Sequence, residues 1–140
     1  ILRTLLSDAR LSYREIARRN KLAVSTVIDR VAKLRHRGVF EGYSINLNHQ
    51  KLGYNITAVI ELSMRKEALS KEVEEDLLKT TNTFGVYYTT GNTDCFVIAK
   101  FKDTEELNSF LRSLNQKDYI KKTDTHITLK VLKEDFRGNV

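Results

Sequence analysis

Apolar residues in the first third of the chain recur with the period of an α-helix. Ser12 and Glu15 have the spacing of a capping box, which predicts a helix that starts after Ser12 and ends near Asn20. A second helix is predicted over residues 24–37 and is stopped by Gly38. Its apolar positions lie three and four residues apart, at Val24, Val27, Ile28, Val31 and Leu34. The connection between the two helices is so short that they must cross steeply, which predicts a helix-turn-helix unit.

The period of the apolar pattern changes from about 3.6 to about 2 after Gly38. Apolar and polar residues alternate over residues 39–47, which predicts a strand that leaves the helical unit. The stretch from Asn48 to Lys51 is predicted to be a loop between domains. We therefore expect a helix-turn-helix domain (1–38), a strand and hinge linker (39–52) and a second domain (53–140).

Strand and helix patterns follow one another in the second domain. Strands are predicted at residues 56–64, 86–90 and 95–102, and a last strand alternates Ile127, Leu129 and Val131. Helices are predicted over residues 69–81 and after a cap at Asp103 or Thr104. The order is the ferredoxin-like βαββαβ arrangement, with both helices on one face of a four-stranded antiparallel sheet. The predicted fold class is therefore α+β.

The positive charge of the chain is concentrated in its first third. The net charge is +6, and residues 1–48 carry ten basic and four acidic side chains, so they account for all of it. A field of this kind suits a phosphate-backbone partner, because each neutralised phosphate releases condensed counterions. Composition alone fits a solvated charged surface equally well.

Other bulk features exclude several classes of protein. No apolar run approaches the length of about 18 residues that a transmembrane helix needs, and no signal peptide opens the chain. A lone Cys95 cannot form an internal disulfide, and the three histidines lack the spacing of a zinc site. We expect a cytoplasmic protein without membrane contact, metal or cofactor.

The predicted helix over residues 24–37 presents a polar stripe away from its apolar face. A recognition helix offers its N-terminal residues to base edges in the major groove, and arginine can contact guanine in a bidentate manner. The N-terminus of the preceding helix favours a phosphate. The predicted DNA-binding residues are Ser12, Tyr13, Arg14, Ser25, Thr26, Asp29, Arg30, Lys33 and Arg37. A helix face that meets only solvent is the alternative.

The small size of the helical unit predicts a dimer. A unit of about 40 residues buries too little surface to be stable alone, and a regulator of this kind usually reads two half-sites. We expect the strand at residues 39–47 to pair with a second copy of the chain.

The motifs of the chain, taken in order, resemble those of the leucine-responsive/asparagine-regulator (Lrp/AsnC) family of prokaryotic transcription regulators. The resemblance spans essentially the whole chain, and its motifs are Asp8–Ser12 with Glu15–Ala17, Ser25–Val27 with Arg30-Val31 and Lys33-Leu34, Gly38–Tyr43, Leu52-Gly53, Thr90–Asp94 and Thr123–Thr125. The chain departs from the family at Ala23, where a serine commonly caps the recognition helix, at Val24, and at Asn92-Thr93.

The resemblance implies a winged-type helix-turn-helix and a βαββαβ effector domain that builds homodimers and often octamers. It also implies that an amino acid or a related metabolite binds between dimers, near the loop at Thr90–Asp94. From spacing alone this loop is a hairpin connection. The effector-binding residues that the resemblance implies are Thr90, Gly91, Asn92, Asp94 and Thr125.

Three functions other than that of a DNA-binding regulator are considered for this fold. A single-strand RNA binder shares the βαββαβ order, but residues 94–101 lack the basic-Gly-aromatic-Gly pattern of that module. An enzyme is not expected, because no nucleophile–base pair or phosphate-cradling loop is visible. The remaining alternative is a metabolite-sensing βαββαβ protein that acts through protein partners, and the charge of the helical unit argues against it.

Overall fold

The computed structural model describes residues 1–65 and 71–136, apart from the side chain of Glu72. The chain forms two compact units. The first contains Ile1–Leu47 and the tail residues 133–136, and the second contains Asn48–Leu132. The boundary falls inside the predicted linker, whereas the tail, which we expected to belong to the second domain, belongs to the first unit.

Three helices build the first unit: α1 (Leu2–Ser7), α2 (Tyr13–Asn20) and α3 (Val24–His36). Lys21 turns the chain between α2 and α3 by adopting a left-handed conformation, with a φ of 53°. The small core of the unit consists of Leu5, Ile16, Ala17, Val27 and Val31. The predicted positions of α2 and α3 are confirmed, and Gly38 follows α3 with a φ of +67°.

The segment at residues 39–47 differs from the prediction, because it forms no strand within the chain. The N–H groups of Val39 and Phe40 donate to Leu34 O and finish α3, at 3.0 and 3.2 Å. No other described residue makes a backbone hydrogen bond to residues 41–47. Extended chain becomes a strand only when another strand pairs with it, and the described part of a single copy supplies no such strand here.

The second unit contains a four-stranded antiparallel sheet made of β1 (Ile56–Met64), β2 (Thr83–Tyr88), β3 (Cys95–Phe101) and β4 (Ile120–Ile127). The strand order is β2-β3-β1-β4. β1 lies in the centre, where Leu62 is opposite Cys95 of β3 and Met64 is opposite Ile120 of β4. This order confirms the predicted ferredoxin-like arrangement.

Two helices, α4 (Lys71–Leu78) and α5 (Thr104–Asn115), complete the second unit. Asp103 caps α5, because its side chain accepts a hydrogen bond of 2.8 Å from Glu106 N. Leu69, where we expected α4 to begin, lies outside the described residues. The core combines alternate residues of the strands with the apolar faces of the helices: Ala58, Ile60, Leu62, Met64, Val73, Leu77, Cys95, Val97, Ala99, Phe101, Leu107, Phe110, Leu114 and Ile120.

Two strands lie earlier in the chain than predicted. β2 begins at Thr83 instead of residue 86, because Thr83 and Gly85 already pair with Ala99 and Ile98 of β3. β4 spans a mostly polar stretch and ends at Ile127, so Leu129 and Val131 lie outside it. The reason is the pairing with β1: Ile127 is opposite Ala58, and Thr128 N donates to Thr57 O near the start of β1.

Candidate nucleic-acid interface and effector loop

Ser12 caps α2, but the predicted capping box forms only in part. Ser12 Oγ accepts a hydrogen bond of 3.2 Å from Glu15 N. The Glu15 carboxylate instead accepts hydrogen bonds from the guanidinium groups of Arg18, at 2.6 and 3.1 Å, and Arg19, at 3.1 Å. These bonds lower the pKa of Glu15 to about 2. Glu15 is therefore ionised at neutral pH and offsets part of the positive charge on α2.

The start of α3 lacks a side-chain cap. Ala23 occupies the N-cap position with extended backbone (φ −69°, ψ 147°) and no side-chain hydrogen bond. The first free N–H groups of a helix attract anions, and Ala23 leaves those of α3 without a side-chain acceptor. The helix starts at Val24, as the apolar pattern predicts.

The predicted polar stripe lies on the surface of α3. Ser25, Arg30 and Arg37 are exposed, and Thr26 is half-buried. Lys33 Nζ forms an ion pair of 2.8 Å with Asp29 Oδ2, one helical turn away. Arg30 and Lys33 therefore differ in their surroundings. Lys33 is paired with a carboxylate in the free protein, whereas Arg30 has no ion-pair partner in the described part of the chain.

Two residues of the apolar pattern of α3 lie on the surface. Val27 and Val31 are buried, whereas Val24 is 38% exposed and Ile28 is 48% exposed. A helix of a three-helix unit has a narrow buried stripe, so residues one position outside it remain on the surface. Val24 and Ile28 therefore lie on the surface beside Ser25 and Asp29, which the apolar pattern alone does not reveal.

The loop between β2 and β3 is a tight connection. Gly91 has a φ of +107°, which favours glycine. Thr89 N donates to Asp94 O at 3.0 Å, and Thr89 Oγ1 donates to Thr93 O at 2.7 Å. Thr90, Gly91 and Asn92 are exposed at the tip. The loop thus has both the hairpin geometry that the spacing predicts and exposed polar groups.

The carboxylate of Asp94 attaches this loop to β1. Its Oδ2 accepts a hydrogen bond of 2.7 Å from Met64 N, and Asp94 N donates to Leu62 O at 3.2 Å. Asp94 therefore has a structural role that the sequence did not reveal, because its two partners are about 30 positions away in the chain.

A second attachment runs through Glu61 of β1. Thr93 Oγ1 donates a hydrogen bond of 2.6 Å to Glu61 Oε2, and Glu61 Oε1 lies 3.0 Å from His126 Nε2 of β4. The hydrogen bond from Thr93, followed by the one with His126, lowers the pKa of Glu61. The sequence offered no signal for this group of three residues, which come from three separate segments.

Thr125 lies on the opposite face of the sheet from Glu61, to which the loop is attached. It pairs with Ile60 in the register of β4 and β1, and paired residues of an antiparallel sheet lie on the same face. Because Ile60 belongs to the core under the helices, Thr125 lies on the helix side of the sheet, and Glu61 lies on the opposite side.

A groove of about 490 Å³ between α4 and α5 contains none of the predicted site residues. Its charged groups are already paired: Asp76 accepts from Lys117 Nζ at 2.5 Å and from Tyr119 Oη at 2.6 Å. These bonds lower the pKa of Asp76, and burial together with Asp76 raises the pKa of Tyr119. These polar residues of the groove therefore have a structural role, because their contacts join α4 to the segment before β4.

The two units define a class of protein: a regulator with a basic helix-turn-helix and a separate βαββαβ domain. Residues 1–35 match the AsnC-type helix-turn-helix domain, and residues 57–137 match the Lrp/AsnC ligand binding domain. The chain belongs to the Lrp/AsnC family of transcription regulators, which are not enzymes. The resemblance seen in the sequence is thereby confirmed. In residues 1–65 and 71–136, no helix is long and apolar enough to cross a membrane.

Relatives from archaea resemble nearly the whole chain. An uncharacterized HTH-type transcriptional regulator of Pyrococcus furiosus is 42% identical over 137 residues, which cover 98% of this chain and 92% of that protein. The HTH-type transcriptional regulator FL11 of the same organism is 37% identical over 134 residues, covering 96% of this chain and 88% of that protein.

Solved structures share the fold at lower identity. Escherichia coli AsnC superimposes with a TM-score of 0.87 at 24% identity and covers 98% of this chain and 93% of its own. A Neisseria meningitidis transcriptional regulator in complex with L-Met superimposes with a TM-score of 0.86 at 24% identity, covering 99% of this chain and 91% of its own.

Proposed function

We propose that this transcription regulator reads a specific double-stranded DNA sequence with α3. The observation that carries the proposal is the exposed polar stripe of α3 in a unit that holds the whole net charge of +6. A regulator of this kind works in the cytoplasm, where the DNA of a prokaryote lies.

The residues of α3 divide by their position along the helix. Ser25, Thr26, Asp29 and Arg30 lie in the first two turns and meet base edges, and the fork of Arg30 suits a guanine. The exposed Ile28 lies beside them and suits a thymine methyl group. Later in the helix, Lys33 and Arg37 meet phosphates.

The N-terminus of α2 adds backbone contacts to the DNA. Ser12, Tyr13 and Arg14 surround the N–H groups of its first turn, and all three are exposed. Phosphate contacts of this kind set the orientation of the protein on the duplex and carry no sequence information.

We propose that an amino acid modulates DNA binding from the loop between β2 and β3. Two points support this: the match of residues 57–137 to a ligand binding domain, and the L-Met bound by the Neisseria meningitidis neighbour. Thr90, Gly91 and Asn92 offer exposed polar groups at the loop tip, and Asp94 offers a carboxylate. Thr125 faces the other side of the sheet from Glu61, and we propose that it meets the ligand from a second subunit.

We propose that the protein acts as a homodimer that can assemble to an octamer. Residues 39–47 leave the helical unit with apolar side chains that alternate along the chain and are exposed, including Val39 at 58% and Ile45 at 79%. A second copy of the segment supplies the missing strand, covers these side chains and places two copies of α3 at two half-sites.

Duplex binding at varied salt tests the proposal. The purified chain is titrated with a genomic fragment that it retains, with a scrambled duplex and with a single-stranded RNA of equal length. The expected result is tightest binding to the retained duplex, with affinity for both duplexes falling steeply as salt rises. Tighter binding to RNA, or no duplex binding together with a stable protein partner, would favour a rival function.

A further inference from the structure

The loop between β2 and β3 is fastened to the sheet at two neighbouring residues. Asp94 accepts from Met64 N with its carboxylate, and Thr93 donates its hydroxyl proton to Glu61. The bond from Thr93 is short, at 2.6 Å between Oγ1 and Oε2, as expected for a hydroxyl that donates to an ionised carboxylate. The tip residues Thr90, Gly91 and Asn92 extend from this fastened base.

Glu61 is held in place from both sides. It lies on the central strand β1, opposite Phe96 of β3 and Asp124 of β4. Its second carboxylate oxygen contacts His126, so the side chain cannot swing away from Thr93 without losing both partners. The Glu61 side chain is 31% exposed, less than the 54% of His126. Hydrogen bonds from a side chain that is held on a strand by two partners restrict the positions that a loop can adopt.

We propose that Glu61 is a positioning residue that fixes the β2–β3 loop through Thr93 and thereby sets the affinity of the loop for its effector. This inference rests on the proposed effector function of the loop.

Amide exchange measured by NMR tests the positioning without any effector. Thr89 N and Asp94 N are hydrogen-bonded within or beside the loop, so they report its closure. The variants are Glu61→Ala and Thr93→Val, which remove one partner each, the double variant, and Thr93→Ser, which keeps the hydroxyl. Ser63→Ala is the matched control, because Ser63 lies two positions from Glu61 on the same strand.

The expected exchange rates distinguish the loss of the hydrogen bond between Thr93 and Glu61 from other effects of the replacements. Glu61→Ala and Thr93→Val each speed exchange at Thr89 and Asp94 about tenfold, as loss of a charge-assisted hydrogen bond implies. The double variant exchanges no faster than either single variant, and Thr93→Ser and Ser63→Ala behave like the parent. Unchanged exchange in Glu61→Ala, or additive effects in the double variant, would overturn the proposal.

A second measurement connects the loop to the effector. L-methionine, and then each of the other common L-amino acids, is titrated while the affinity for the retained duplex is measured. For the amino acid that acts on the parent, Glu61→Ala and Thr93→Val should raise the half-effect concentration by the same factor, about tenfold, and Thr93→Ser should leave it unchanged.

The two measurements separate the possible failures. Faster exchange in both variants with an unchanged half-effect concentration would overturn the claim that positioning controls the effector. If no amino acid acts on the parent, the proposed effector function fails, and with it the control of effector affinity. The exchange rates then still decide whether Glu61 fixes the loop.

Discussion

Alanine replacements of Arg30 and Lys33 test the proposal that Arg30 of α3 reads a base and Lys33 binds a phosphate. Both side chains are exposed and lie three positions apart, on neighbouring parts of the helix surface. Alanine has the highest helix propensity, so α3 is retained in both variants. The two residues differ in their surroundings, because Lys33 is paired with Asp29 at 2.8 Å in the free protein.

The two replacements should change the affinity for DNA and its salt dependence in different ways. Arg30→Ala removes the proposed bidentate base contact, which costs about 1–3 kcal/mol, or about 5- to 150-fold in affinity, for each half-site of the specific sequence. Lys33→Ala removes a phosphate contact, so affinity falls on all sequences, and the slope of log K against log salt becomes shallower by about 0.9 per half-site.

The Asp29–Lys33 pair adds a refinement to the Lys33 variant. Removing Lys33 leaves the Asp29 carboxylate uncompensated close to the DNA, and repulsion from the phosphates then weakens binding further. The double variant Asp29→Asn/Lys33→Ala should recover part of this loss. Recovery on both specific and scrambled duplexes would assign the effect to charge rather than to a lost contact between Asp29 and a base.

Fluorescence anisotropy titrations on a specific and a scrambled duplex, at salt concentrations from about 50 to 200 mM, measure these effects. Lys121→Ala is the control, because Lys121 is an exposed lysine of β4 in the other unit. The assignment of Arg30 is refuted if Arg30→Ala keeps the parent's ratio of specific to scrambled affinity. The assignment of Lys33 is refuted if its variant keeps the parent's salt slope.

Three further predictions concern the stability and assembly of the first unit. Ala23→Ser should stabilise the unit by about 1 kcal/mol, because the extended backbone of residue 23 allows a serine to accept from the first turn of α3; an unchanged melting temperature would contradict this. The ionised Glu15 stabilises α2 at any pH above 4.5, the pKa of this carboxyl group in the unfolded chain. Its contribution to stability is lost as the pH falls from 4.5 to about 2, the pKa in the folded protein. Glu15→Gln should therefore melt below the parent at pH 6 and together with it near pH 2, and an equal difference at both values would refute the linkage. Ile45→Lys should weaken the dimer in analytical ultracentrifugation, with Lys51→Ala as a control in the adjacent turn; a dimer as stable as the parent's would exclude pairing through this segment.

Local patterns in the chain predicted most of the helices correctly. α2 begins with the cap at Ser12, α3 begins at Val24, and α5 begins after Asp103, because the signals that start and stop a helix lie within a few residues of it. β1 was also predicted correctly, because its buried face alternates strictly with its other face. The βαββαβ order was predicted correctly as well, although the bounds of β2 and β4 were not.

Strands with weak alternation were misplaced. β4 carries mainly polar residues. The strand was predicted too late in the chain, because Leu129 and Val131 continue the apolar alternation although neither pairs with β1. A strand at the edge of a sheet needs only backbone hydrogen bonds to one neighbour, so its side chains carry little information about its ends. Residues 39–47 show the opposite case, because their pattern suits a strand and no segment in residues 1–65 or 71–136 pairs with them.

Some features of the candidate sites can likewise be read from the sequence, and others cannot. Sequence by itself determined the basic helix-turn-helix, the polar stripe of α3 and the family of the chain, because charge, periodicity and motif spacing are local properties of a sequence. Only the tertiary structure decided that Asp29 holds Lys33, that Asp94 fastens the loop to Met64, that Glu61 joins Thr93 to His126, and that Thr125 lies on the other side of the sheet. The physical reason is range: most of these contacts join residues that only the register of the sheet brings together, and the ion pair on α3 depends on which of several possible partners a flexible side chain reaches.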